Sequence, residues 1–253
     1  MTTFTMMPFA VNNNNLPQIA AENIELLVDS EPNALAHWLF QNNTNHLNDL
    51  ISNRKITPVN GAITTSKGVL VQGDENTSSV KTFKTDLIET PNSTMIVVFK
   101  TPIEQDWTGN SLSLCGAFAG SSAGPLCYLN KTSIKYFMPP LNQISGDLTE
   151  PLEYNTWYVA AFSNAQLENG TGNVKLLLGG KNSFDINYEA RDSISSKNIE
   201  LGMSYNFSAS YSTAPVEIAE FIYFEEALSV NEMNSVIGRT AIRMAEKGIT
   251  LGL

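Results

Sequence analysis

From residue 23 onward, short runs of β-branched and aromatic residues alternate with clusters of Gly, Asn, Asp and Pro. The runs read as strands and the clusters as turns. Strands are expected at 24–28, 35–40, 68–73, 80–83, 94–101, 111–118, 126–130, 133–138, 157–163, 174–178, 184–189, 199–205 and 216–224. Gly61, Gly73-Asp74, Asn92, Gly109-Asn110, Asn169-Gly170, Gly179-Gly180 and Asn206 mark turns between them. No repeat or linker breaks the span. Residues 23–253 are therefore expected to form one all-β domain, a two-sheet antiparallel sandwich.

The hydrophobic period changes once, near the end. Glu225 and Glu226 leave the last strand, and Ser229 with Glu232 spells a capping box. Val230, Met233, Val236, Ile237, Ala241 and Met244 follow at helical spacing, and Gly248 is a stop. The spacing predicts an amphipathic helix closing a β chain. Residues 1–22 break the pattern differently: Phe4, Met6, Met7 and Phe9 precede the run Asn12 to Asn15. The Asn run is a poor interior for helix or strand. The segment reads as a frayed terminus or as an extended assembly arm, whose apolar side chains would be a liability unless a partner subunit covers them.

Several segments resemble the concanavalin A-like superfamily, in particular its laminin-G-like jelly rolls. Ile218, Ala219, Glu220, Tyr223, Ala227, Leu228, Ser229 and Glu232 resemble that family's last strand and helix. Trp38-Leu39-Phe40 and the stretch around Asp49 and Ser52-Asn53 resemble its opening strand and turn. Thr94 to Lys100, Trp157 to Phe162, Val174 to Gly180 and Ile199 to Gly202 follow in the family's order. The resemblance implies a jelly-roll sandwich with a terminal helix. It also implies calcium as a conceivable ligand, held by loop oxygens at Asp74-Glu75-Asn76 or Glu104-Gln105-Asp106. Acidic loops are common surfaces, so no cofactor is expected.

The net charge of −10 argues against nucleic acid, which needs a basic face, and against anionic membrane. No run is long enough to cross a bilayer. Residues 1–10 lack a signal-peptide pattern, so synthesis in a host cytoplasm is expected. Cys115 and Cys127 flank a turn centred on Ser121 and would lie opposite each other in a hairpin. A cross-strand disulfide is then conceivable, but cytoplasmic synthesis favours free, buried thiols.

The superfamily includes glycosidases whose paired carboxylates share one strand face. The nearest pair here is Glu217 and Glu220, three apart, which a regular strand would turn to opposite faces. His37 and His46 are the only histidines, and no nucleophile or metal motif occurs. No enzyme activity is expected. Glycan binding needs an exposed aromatic face with amides or carboxylates beside it. Asp106, Trp107 and Asn110 form the first candidate, Tyr136 and Phe137 the second, and Tyr205, Phe207 and Tyr211 a third.

An extracellular-type fold without a leader suggests a bacteriophage virion protein, a step that rests on fold analogy. The reading is a non-catalytic structural or adhesion protein on the virion. The arm (Phe4, Met6, Met7, Phe9) would dock to other virion subunits, in a homo-oligomer, and the sandwich would bind cell-surface polysaccharide. The alternatives are a capsid-decoration or tail-connector protein that binds no glycan, or a bacterial glycan-binding module or glycosidase.

Overall fold

The computed structural model describes residues 30–40, 47–52, 54–74, 79–107, 111–118, 124–138, 143–179, 182–189, 194–202 and 213–252. The expected strand at 24–28, the 22/23 boundary, the arm residues Phe4, Met6, Met7 and Phe9, and Asn110, Tyr205, Phe207 and Tyr211 lie outside them.

Two antiparallel sheets stack face to face, and a helix lies on the outside of one. The strands are β1 (Ala36–Leu39), β2 (Thr57–Val59), β3 (Ile63–Thr64), β4 (Val69–Gln72), β5 (Thr82–Ile88), β6 (Asn92–Lys100), β7 (Leu112–Gly116) and β8 (Leu126–Leu129). They continue with β9 (Ser133–Phe137), β10 (Ile144–Asp147), β11 (Trp157–Gln166), β12 (Gly172–Leu178), β13 (Asn182–Tyr188), β14 (Asn198–Leu201) and β15 (Pro215–Phe224), and α1 is Val230–Glu246. The first sheet runs β13-β12-β11-β6-β15-β4-β3, with β1 beside the second half of β15. The second runs β10-β9-β8-β7-β14-β5-β2. This is the expected jelly-roll-like sandwich with a C-terminal helix.

The side-chain period explains which face goes where. Val97, Phe99, Ala160, Phe162, Leu176, Ile218, Phe221 and Tyr223 point between the sheets. Their neighbours Ile96, Val98, Val159, Ala161 and Ile222 point outward, against Met233, Val236, Ile237 and Met244 of α1. Covering both faces makes β6 and β11 continuous apolar runs rather than alternating ones.

The helix begins as its sequence demands. Glu232 N–H donates to Ser229 Oγ (3.3 Å), and Ser229 N–H donates to the Glu232 carboxylate (2.7 Å). Those bonds hold the Glu232 carboxyl below its usual value. Gly248, at φ 66°, takes the left-handed turn that ends the helix. Ser229→Ala is expected to cost about 1 kcal/mol of unfolding free energy. An unchanged urea midpoint would show that the cap carries nothing.

The thiols of Cys115 and Cys127 are register partners across β7 and β8, buried and free. Burial, first of all, pushes the Cys127 thiol well above its ordinary value, and the neighbouring Cys115 adds to it.

The strand registers fix two ends of the sandwich. One end gathers the β5–β6, β7–β8, β9–β10, β11–β12 and β13–β14 connections. The opposite end gathers β4–β5, β6–β7, β8–β9, β10–β11 and β14–β15. β9 packs over β12 and β10 over β13, so the edges of both sheets meet at one corner. There Gly146 lies so close to the Phe184 ring that a Cβ would sit 2.2 Å from it.

Candidate functional site

The carboxylates on β15 come first, because a catalytic reading would need them. Their placement differs from the expectation. The register of β15 against β6 shifts between Ile218 and Glu220, a bulge that inserts Ala219. Ile218 and Phe221 both face the inter-sheet core, while Glu217, Ala219 and Glu220 turn outward. Glu217 and Glu220 therefore share the helix-covered face instead of opposing ones. The expectation failed because the two-residue period holds only for an unbroken strand.

Sharing a face does not make them a pair for chemistry. Glu217 accepts from the Thr65 hydroxyl. Glu220 is fully buried and accepts from His37 Nε2 (2.8 Å) and Arg243 Nε (2.6 Å). His37 Nδ1 accepts the Glu31 N–H (3.0 Å), which fixes the tautomer with its proton on Nε2. Glu31 in turn accepts from Arg243 (3.1 Å) and Arg239 (2.5 Å). Burial pushes the Glu220 carboxyl up, but His37 and then Arg243 outweigh it and hold the group below its ordinary value. Such a carboxylate stays ionised and has no route to a substrate. Beside it, Lys247 donates to the carbonyls of Phe40, Lys67 (3.1 Å) and Ala219 (3.3 Å). Burial lowers that ammonium to about 8, against the pull of Glu220 and Glu217. The network locks the helix, the first strand and the segment before it onto the bulge. Asp49 extends it, accepting from His37 N–H (2.7 Å) and from the Ile51 and Ser52 amides (3.0 and 2.8 Å).

The first aromatic candidate is corrected. Trp107 is 1% exposed and belongs to the inter-sheet core, edge-on to Tyr154 with ring centroids 5.9 Å apart. The 103–107 turn, closed by Asp106 and Trp107 N–H on Ile103 C=O, tucks the indole inward. Asp106 stays exposed while the neighbouring Trp107 ring turns into the core. Tyr136 is likewise 0% exposed, among Ile134 and Met138 on the inward side of β9.

Among the described residues, Phe137 is the candidate aromatic that the structure keeps at a surface. One position on from Tyr136, it turns to the outer face of the second sheet, half-buried, 5.6 Å from Phe118. Phe118, Leu126 and Tyr128 form a small apolar cluster there. Tyr128 donates to the exposed Gln143 (2.5 Å), and Lys135 Nζ stands 5.8 Å from the Tyr128 ring centroid. Ile88 (55% exposed), Leu167 (62%) and Ile194 lie at the same end of the sandwich. Around the corner, the β11–β12 turn and the end of β13 enclose an open pocket of about 270 Å³. Among the described residues no three His, Cys, Asp or Glu side chains converge on a metal-sized point, and Glu75 and Asn76 of one proposed calcium loop lie outside them.

No protein-family model and no curated protein matches the chain. Solved structures do. The receptor binding domain of botulinum neurotoxin C/D mosaic serotype aligns at TM-score 0.62 and 15% identity, over 83% of this chain and 52% of that one. The botulinum neurotoxin serotype D ligand binding domain in complex with N-acetylneuraminic acid aligns at 0.62 and 15%, over 83% and 52%. The receptor binding domain of botulinum neurotoxin D aligns at 0.61 and 15%, over 83% and 54%. This chain spans about half the length of those domains. The likeness is one of fold, a jelly-roll sandwich.

Proposed function

We propose that this chain is a non-catalytic recognition module that binds cell-surface glycan through the end of the sandwich carrying Phe137. The observation that carries the reading is the outer face of β8 and β9 near that end. A half-exposed ring, an amide at Gln143 and an ammonium at Lys135 stand together there. Rings desolvate the apolar face of a sugar while amides and charges read its hydroxyls. Tyr128 takes Gln143 Oε1 as its acceptor, which leaves the amide NH₂ outward as a donor. The buried, ion-paired Glu220 supports a binding role over hydrolysis. Ligand and receptor binding in the neurotoxin domains of the same fold is consistent with it.

The setting we propose is a virion, with homo-oligomeric subunits docked through residues 1–22. The neurotoxin neighbours give that setting no support, and it rests on the sequence alone.

A glycan array decides the central claim. Binding to a defined set of glycans is expected, weakened by about tenfold or more in Phe137→Ala with an unchanged melting profile, as loss of one stacking ring implies. An array with no bound glycan would leave the structural, non-binding alternative in place.

A further inference from the structure

We infer that Cys115 and Cys127 form a reversible cross-strand disulfide, a redox staple beneath the outer cluster of the second sheet. The inference is independent of the glycan reading, since it concerns the covalent state of β7 and β8.

Placement carries it. The chain has two cysteines in 253 residues, and the fold sets them directly opposite each other on neighbouring strands. Both side chains belong to the inter-sheet core, so they share a face. Ala117 N–H donates to Pro125 C=O (3.0 Å), and the antiparallel alternation then makes Cys115 and Cys127, two positions back, a hydrogen-bonded pair. Cα atoms in such a pair stand about 5.5 Å apart. A disulfide spans roughly 4.4–6.8 Å between Cα atoms, so the reach matches without a change of register.

Gly116 pinches the strands beside the pair. A Cβ there would sit 2.3 Å from the Pro125 carbonyl oxygen and 3.0 Å from Leu126 Cα, so a side chain would hold β7 and β8 apart. Bonded cysteines bring their Cβ atoms to about 3.5–4.5 Å, against about 4.5–5.5 Å for residues directly opposite. Closure therefore draws the two side chains together by up to about 1 Å. Cys115 gives up only a weak contact for it, its thiol on Met95 Sδ (3.8 Å). The strain of that approach makes the bond easier to reduce than a relaxed one, which suits a switchable link.

The oxidant is a small-molecule disulfide. One cysteine thiolate attacks it, forms a mixed disulfide and releases one small thiolate. The second cysteine thiolate attacks the protein sulfur of that bond and releases the other. Both thiol protons leave, the cysteines are oxidised, and the small disulfide is reduced to two thiols. Burial first, and then the Cys115 thiol, keeps Cys127 protonated in the closed core, so the exchange proceeds when β7 and β8 open locally. Leu126 and Tyr128 flank Cys127 and belong, with Phe118, to the outer cluster that packs with Phe137. The bond stiffens the strands under that cluster.

The test equilibrates the full chain in buffers of oxidised and reduced glutathione, both in urea below the unfolding transition and by refolding from full unfolding. Thiol titration and a non-reducing peptide map read the product. Oxidation is expected to remove both thiols, join the Cys115 and Cys127 peptides within one chain, and reverse in reduced glutathione. The oxidised chain should melt about 5 °C higher, because a closed loop constrains the unfolded state while strain takes back part of the gain. Amide exchange in β7 and β8 should slow. Cys115→Ala and Cys127→Ala should each melt alike in the two buffers, and the native chain decides the matter if a variant folds poorly. Thiols that stay free after refolding in oxidised glutathione would overturn the inference. So would a glutathione adduct that never resolves, a link formed only between chains, or an oxidised chain that melts no higher than the reduced one.

Discussion

Arg243→Met will lower the unfolding free energy by about 3–5 kcal/mol, the usual loss when one partner of a buried ion pair is removed. Arg243 is 8% exposed and spends its guanidinium on Glu220, Glu31 and Thr240. Methionine replaces the stem's packing but leaves two buried carboxylates with less compensation. Glu31 keeps Arg239, whose side chain is 45% exposed, and Glu220 keeps the His37 hydrogen bond and the attraction of the Lys247 ammonium. Adding Glu220→Gln to the variant should regain part of the loss by removing the orphaned charge. Urea titration measures both. A loss under about 1 kcal/mol would place the network among ion pairs that carry little.

The same pair sets a pH dependence. The folded Glu220 carboxyl lies below its ordinary value of 4.5. Its contribution is therefore fully present above the ordinary carboxylate range and is lost as pH falls through the lowered folded value. The gap between the native chain and Arg243→Met should narrow toward acid pH. A gap that widened there would mean the network is held by something other than this carboxylate.

Much of this fold was legible because its signals are local. The capping box, the helical spacing and Gly248 all lie within twenty residues, and the helix formed where they place it. β6 and β11 were legible as long apolar runs. β2, β3 and β10 were missed for equally local reasons: they are two to four residues long, and Pro58, Gly146 and Asp147 blunt their pattern. The buried network was not legible, since Glu31, His37, Glu220 and Arg243 meet only after the sheet and helix are assembled. The bulge at Ala219 was hidden for the same cause, as it marks where the neighbour of β15 changes from β4 to β1.

The candidate site was half legible. Tyr136 and Phe137 are adjacent on one strand, so they could not both face solvent. Ser133, Lys135 and Phe137 alternate with Ile134, Tyr136 and Met138, and that alternation already assigns Phe137 to the polar side. The outer face of β13 carried a similar signal, because Asp185 and Asn187 alternate with Phe184, Ile186 and Tyr188. What the alternation could not supply was the meeting of β9–β10 with β12–β13 at one corner.

Trp107→Ala will destabilise the domain by about 3–5 kcal/mol, the range for deleting a buried large aromatic. The indole sits in the inter-sheet core against Tyr154, and Lys131 Nζ lies 3.8 Å from the other ring's centroid. Alanine leaves a cavity under the 103–107 turn that these neighbours cannot fill without abandoning their own contacts. Glycan affinity per folded molecule should not change, because Trp107 lies at the end of the sandwich opposite Phe137 and the corner pocket. The two variants thus separate packing from recognition: Trp107→Ala moves the denaturation midpoint and spares binding, whereas Phe137→Ala does the reverse. A Trp107→Ala protein with native stability and no glycan binding would return the site to the β6–β7 loop.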